Sequence, residues 1–248
     1  MLFLAAASRV VARVGPVCWG AAGLSRRLSN PAGLSRWTAV DDYFDGKIAP
    51  ESAAKRLARE DGAASGFPEH EVSASQGKFL QVLLESVGGR RVLEIGTLAG
   101  YSTSWFAESA EEVVSLEVEP ERAALAAANL ERAGLAEKVR IVVGPAATSL
   151  EALPEDEPFD FIFVDADKPS NPLYFAHALR LSRPGTLIVA DNVVRDGEVV
   201  DGDSTDDRVQ GVRAFVDLVE REPRVTAAVL QTVGRKGWDG FMLLRVTK

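Results

Sequence analysis

The chain is poor in the residues that most often build compact metal and nucleophile sites. Of 248 residues one is cysteine, Cys18, and two are histidine, His70 and His177. A single thiol cannot close an intramolecular disulfide, and no Cys/His cluster is available for zinc. A histidine-centred mechanism is poorly supplied, so any metal site must be built from oxygen ligands. A basic excess is also missing. Lys and Arg number 28 against 36 Asp and Glu, a net charge of −8, which leaves no basic face for tight nucleic-acid binding. No membrane span is visible: the apolar run 2–7 is too short, and arginines interrupt its continuation. The dinucleotide turn G-x-G-x-x-G is absent as well.

What is present is an ordinary globular balance, 46% hydrophobic and 26% charged residues. The length suits one domain of about 200 residues plus a short extension, enough to bury a sizeable core. Charge is unevenly placed. Residues 1–36 hold Arg9, Arg13, Arg26, Arg27 and Arg36 and no acid, so without them the net −8 becomes −13. An acid-free, Arg- and Ser-containing start resembles a mitochondrial presequence, and Arg26-Arg27-Leu28-Ser29 resembles a matrix-protease cleavage site. An unstructured tail, or a start codon assigned too far upstream, would read the same way. The expected division is an extension over 1–36 and one domain over 37–248. The expected location is cytoplasmic and soluble, or the mitochondrial matrix if the leader is genuine.

Residues 37–75 read as a lead-in, with a helix through 55–60 and a Gly/Ala/Ser-rich loop over 61–68. From Gln76, Phe79, Leu80, Leu83, Leu84 and Val87 fall at helical spacing until Gly88-Gly89. A regular alternation follows. Strands are expected at 91–95, 113–118, 139–143, 159–164 and 186–190, with helices at 101–109, 120–133, 172–182 and 206–221 between and after them. Strands at 225–233 and 240–246 flank a loop over 234–239. Such alternation implies an α/β fold with a mostly parallel sheet covered on both faces and a terminal antiparallel hairpin. Ligands of these sheets bind at the carboxyl ends of the strands.

The motifs fall at those ends. The first strand runs into Glu94-Ile95-Gly96-Thr97-Leu98-Ala99-Gly100-Tyr101-Ser102, where glycines allow close approach to the backbone and the next helix offers free N–H groups to an anion. Alone, such a turn also occurs with no ligand. The second strand delivers Glu117, an acid placed to accept both ribose hydroxyls of a nucleoside, or simply a solvated acid. The fourth ends in Asp165-Ala166-Asp167-Lys168 and the fifth in Asp191-Asn192. Asp165, Asp191 and Asn192 would supply three hard oxygen ligands suited to magnesium or manganese; equally, such residues end strands and cap helices. Consecutive strand residues point to opposite faces, so Asp191 and Asn192 can share an ion only if the strand has already bent into a loop.

Taken in order, LEIGTLAGYST, SLEVEP, FDFIFVDADK and RPGTLIVADNVVR resemble the metal-dependent O-methyltransferases, the group that includes catechol and caffeoyl-CoA O-methyltransferases. The likeness is closest to the bacterial branch and runs from about Trp37 to Lys248, taking in SASQGKFL and QTVGRKGWDGF. It implies a Rossmann-like class I methyltransferase sandwich with seven strands ordered 3-2-1-4-5-7-6. It implies S-adenosyl-L-methionine as methyl donor, with Val72, Glu94, Gly96, Thr97, Tyr101, Ser102, Glu117, Ala146 and Asp165 at the donor site. Many relatives carry an acid where this chain has Pro145, a departure beside Ala146, the position that the resemblance places by the adenine. The metal, Mg2+ with manganese or calcium as alternatives, would fall to Asp165, Asp191 and Asn192. Lys168 matches the general base, acting with Asp165; the plain alternative is a lysine paired with Asp167. A homodimer is implied by the likeness only.

The reaction so implied moves a methyl group to one hydroxyl of a catechol-like, vicinal aromatic diol. Phenols ionise near pH 10, so a cation that favours phenolate and a chelated geometry that aligns the oxygen would both speed transfer. Other readings share these features: a methyltransferase with a non-catechol acceptor, a nicotinamide-dependent oxidoreductase, or a non-catalytic nucleoside-binding protein. Tyr43, Phe44 and Trp238 are candidate aromatic walls for the acceptor or ordinary packing residues, with 37–75 and 195–207 as its cover.

Overall fold

Each short apolar run between turn residues becomes a strand, and the runs assemble side by side. The computed structural model describes residues 31–248; positions 1–30 of the expected leader, with its cleavage motif and Cys18, lie outside the described residues. Strands β1 (Arg91–Ile95), β2 (Glu112–Glu117), β3 (Val139–Val143), β4 (Phe159–Val164), β5 (Ser182–Asp191), β6 (Val225–Gly234) and β7 (Gly237–Val246) form one sheet ordered β3-β2-β1-β4-β5-β7-β6. The first five run parallel; β7 is antiparallel to both β5 and β6 and lies one strand in from the edge. The expected sheet and its order are thus found.

The helices are α1 (Pro31–Ile48), α2 (Ala53–Ala64), α3 (Ala74–Ser86), α4 (Tyr101–Ser109), α5 (Pro120–Arg132), α6 (Ala146–Glu151), α7 (Asn171–Arg180) and α8 (Asp207–Arg221). Local chemistry sets several of their ends. Ser52, Ser73 and Asp206 cap α2, α3 and α8 through side-chain oxygens. Pro120 opens α5, and Gly134, at φ 70°, follows its end.

Alternation within the strands divides the core in two. Phe161 and Phe163 face one side with Val92, Val113 and Val189, against Leu80 and Leu84 of α3 and Trp105 and Phe106 of α4. Ile162 and Val164 face the other with Leu93, Leu116 and Ile188, against Tyr174 and Phe175 of α7 and Phe215 of α8. Each large side chain so buried contributes about 1.5–3 kcal/mol.

Four expectations change. A long helix, α1, runs continuously across the expected boundary at 36/37. The helix near 55–60 extends to Ala64, into the expected loop. The final hairpin closes through a two-residue turn, Arg235-Lys236, rather than a loop over 234–239, because Gly234 pairs with Gly237 and the latter takes φ 98°. Helix α7 stops at Arg180, and β5 begins at Ser182.

Candidate active site

Strand register brings the motif residues to one edge of the sheet. Ile95 pairs with Leu116 and Val164, Glu117 with Val143, and Val164 with Ala190, so β1 to β5 end level with one another. Gly96 is required there. It takes φ 105°, and a methyl group on it would lie 2.6 Å from the carbonyl oxygen of Asp165. Only glycine lets the tips of β1 and β4 come this close. The turn then passes through Leu98 (φ 51°) and Gly100 (φ 81°) into α4. Gly100 caps α4 with no side chain, so the first amides of the helix have no capping acceptor.

Two acids organise this turn. Glu117 at the end of β2 accepts from Leu98 N–H at 2.8 Å and from Glu119 N–H at 3.0 Å. Beyond it, Gly144 N–H donates to Glu117 O at 2.9 Å, which carries Ala146 onto the same rim. Glu94 is fully buried beneath the turn. Its Oε1 accepts from Ser102 Oγ at 2.6 Å, and its Oε2 accepts from Ser115 Oγ at 2.6 Å and Thr103 Oγ1 at 2.5 Å. Burial pushes the Glu94 carboxyl up to about 7; the three hydroxyls pull it down, and the nearby Asp165 charge adds to the rise. Thr97 is buried and shares a hydrogen bond with Ser115. Tyr101 is buried too, but its hydroxyl donates to Glu51 at 2.7 Å, so its side chain ties α4 to the segment before α2. Val72 is buried just before the Ser73 cap of α3.

The second group gathers at β4 and β5. Lys168 Nζ, almost wholly buried, donates to Asp165 Oδ1 at 3.0 Å. Its partner is therefore Asp165 and not Asp167, which is taken by Tyr174 OH and Ser170 N–H. Helix α8 packs on the Lys168 backbone so closely that a methyl group on Gly211 would lie 2.2 Å from the Lys168 carbonyl oxygen. Asp191 is the last residue of β5, and Asn192 takes φ 56°. The chain has bent where sharing of one ion by both side chains requires it. Burial raises the Asp191 carboxyl, the Asp165 charge raises it further, and Lys168 and a bond from Gln76 oppose the rise. A buried acid beside a second acid, with one lysine bonded to the second, is short of positive charge. The donor set, two carboxylates and an amide oxygen, fits a hard divalent cation. Among the described residues no group of three or more His, Cys, Asp or Glu is arranged around a common point; the expected set has only two acids.

Several residues of this region were not anticipated. Gln76 Nε2 donates to Asp191 Oδ2 at 2.7 Å, and Asp239 Oδ1 accepts three backbone N–H groups, from Val194, Arg195 and Gly240. Asp239 thereby fixes the rim after Asn192, where Arg195, Asp196 and Gly197 are all left-handed and Trp238 packs on Gly197. Of the three candidate aromatic walls, Trp238 lies on this rim, while Tyr43 and Phe44 are exposed on α1.

Comparison with known proteins agrees with this geometry. Residues 49–246 match the family model described as O-methyltransferase, and the chain belongs to that family, enzymes that transfer a methyl group to oxygen. Within it, the chain is 47% identical over 210 residues to a catechol O-methyltransferase of Niastella koreensis, covering 83% of this chain and 95% of that one. It is 44% identical over 210 residues to the catechol O-methyltransferase of Mycobacterium tuberculosis, covering 84% and 94%. Among solved structures, the O-methyltransferase of Bacillus cereus in complex with SAH superposes with a TM-score of 0.84 at 49% identity, covering 86% of this chain and all of that one. An O-methyltransferase of tomaymycin synthesis from Streptomyces achromogenes, in complex with SAM, gives 0.84 at 44% identity, covering 87% and 99%.

Proposed function

We propose that the protein transfers the methyl group of S-adenosylmethionine to one hydroxyl of a catechol-like small molecule, with the help of a divalent cation. The observation that carries this reading is the convergence of two unlike sites on one sheet edge: the glycine turn with Glu117, and Asp165, Lys168, Asp191 and Asn192 beside it. The uncapped amides of α4 suit the donor's carboxylate, and Glu117 suits its ribose. Glu94 acts from beneath, holding Ser102 and Thr103 in the first turn of α4. Asp165, Asp191 and Asn192 would hold magnesium, manganese or calcium, which when bound supplies Lewis-acid charge favouring ionised phenol. Lys168 Nζ, fixed by Asp165 and by the packing of α8 on its backbone, would in its neutral amine form take the hydroxyl proton and become the ammonium. The names of the Niastella and Mycobacterium relatives support the catechol class, and the SAH and SAM complexes support the donor.

The test is methyl transfer by purified protein from S-adenosylmethionine to a panel of vicinal diols and single phenols, with magnesium or with EDTA. Turnover restricted to diols and lost in EDTA is expected. Equal rates in EDTA would remove the cation from the reading; equal rates with single phenols would move the acceptor class. A homodimer is proposed with it, on the ground that the edge strand β6 is exposed along most of its length. Among the described residues no helix is long and apolar enough to cross a membrane.

A further inference from the structure

Gln76 stands three residues after the cap Ser73. A Ser-x-x-Gln start ordinarily closes on itself, the serine accepting from the Gln N–H and the Gln side chain turning back to the serine N–H. Only the first half forms here: Gln76 N–H donates to Ser73 Oγ at 3.2 Å. The side chain instead reaches Asp191 Oδ2 at 2.7 Å, across 115 residues of sequence. The other oxygen of Asp191 accepts from Asn192 N–H at 2.8 Å. Two neutral donors therefore fix the plane of a buried carboxylate without neutralising it. Each carboxylate oxygen has a second lone pair, so a place for a cation is kept on it. Lysine or arginine at position 76 could hold the carboxylate as well, but would put a positive charge where a dication has to enter. The first turn of α3 is itself anchored, since Ser75 Oγ donates to Asp45 Oδ1 at 2.5 Å and Asp45 pairs with Arg235 at 2.7 Å.

We propose that Gln76 is a positioning residue for the divalent-cation site, holding Asp191 in one orientation through an uncharged donor. The inference rests on the cation reading given above and extends it to a residue on a different element from all three ligands. Outer partners of this kind change metal affinity by about 10–100-fold when removed. The experiment is titration of Mn2+ into the full chain, followed by electron paramagnetic resonance of the free ion, for wild type, Asp191→Ala, Gln76→Leu and Gln76→Met. SAH affinity without metal is measured calorimetrically on the same proteins. Wild type should bind Mn2+ and Asp191→Ala should not. Both Gln76 variants should bind it about 10–100-fold more weakly with SAH affinity unchanged. If Asp191→Ala loses Mn2+ while both Gln76 variants bind like wild type, the positioning role is wrong and the cation reading stands. If SAH affinity falls in parallel with Mn2+ affinity in both variants, Gln76 is a folding residue and the inference fails. If wild type does not bind, or Asp191→Ala binds as well as wild type, the cation reading fails and takes this inference with it.

Discussion

At the scale of single residues, Glu94 shows how a carboxylate buried beneath the glycine turn can cost the folded protein stability. It is buried, with a carboxyl raised to about 7 against 4.5 for a free one. The folded state therefore holds the proton more tightly than the unfolded chain. The stability linked to that proton is present below about pH 4.5 and is lost as pH rises through 7. Glu94→Gln lacks this loss. Its melting temperature should exceed that of the ligand-free wild type by on the order of 5 °C at pH 8, and the excess should shrink toward pH 5. Thermal melts of both proteins across that range check it; a constant difference would mean Glu94 does not titrate in the window. The same variant should bind SAH more weakly, because an amide nitrogen replaces one of the two oxygens that hold Ser102 and Thr103. Much at this scale was legible from sequence. Gly96, Glu117, Asp165, Asp191, Asn192 and Lys168 all stand at strand ends because polar residues that interrupt apolar runs must fall there. Gln76 and Asp239 were not legible. Their partners are far off in the chain, and nothing local distinguishes an amide that turns back on its own cap from one that reaches across the fold.

At the scale of elements, α1 is, with the short α6, one of two helices that sequence reading missed. Asp41, Asp42 and Asp45 crowd one part of it, and no clean apolar stripe marks it. Its order comes from elsewhere: Arg235 N–H donates to Asp41 at 2.7 Å, and the Arg235 guanidinium bonds Asp42 at 2.9 Å and Asp45 at 2.7 Å. The neighbouring Lys236 bonds Glu69 O and Glu71 on the segment leading to Val72 and α3. The two-residue hairpin turn thus holds both α1 and the segment leading to α3. Arg235→Ala should weaken the docking of α1 by about 1–3 kcal/mol, leaving Asp45 without its cation. Hydrogen exchange should quicken by roughly 10–100-fold in α1 and stay unchanged in β1 and β4; uniform quickening would point to global destabilisation instead. The central elements were readable because their periodicity is intrinsic to them. The tight turn was not, since it depends on the pairing of Gly234 with Gly237.

At the scale of the whole molecule, the sheet ends on one side in a long, exposed edge strand. Strand β6 pairs only with β7, its ten residues VTAAVLQTVG carry no charge and no proline, and its register with β7 is unbroken by a bulge. Val229, Leu230 and Val233 are exposed on it, and α1, packed nearby, leaves Val40, Tyr43 and Phe44 exposed. Natural edge strands are ordinarily blunted by charge, proline or a bulge. Light scattering after size exclusion should give twice the chain mass for wild type, and Leu230→Lys should shift it toward the monomer. A monomeric wild type would refute the pairing. The placement of β7 between β5 and β6 has a consequence for biogenesis. Translation delivers β6 before the strand that must slot in beside it, and Arg235 and Lys236 leave the ribosome only after β1 to β6. Helix α1 and the segment leading to α3, made earlier, have to wait for them. A chain stalled before Arg235 would already carry Glu94, Gly96, Glu117, Asp165, Lys168, Asp191 and Asn192 and still lack the clasp that joins α1 to the turn between β6 and β7.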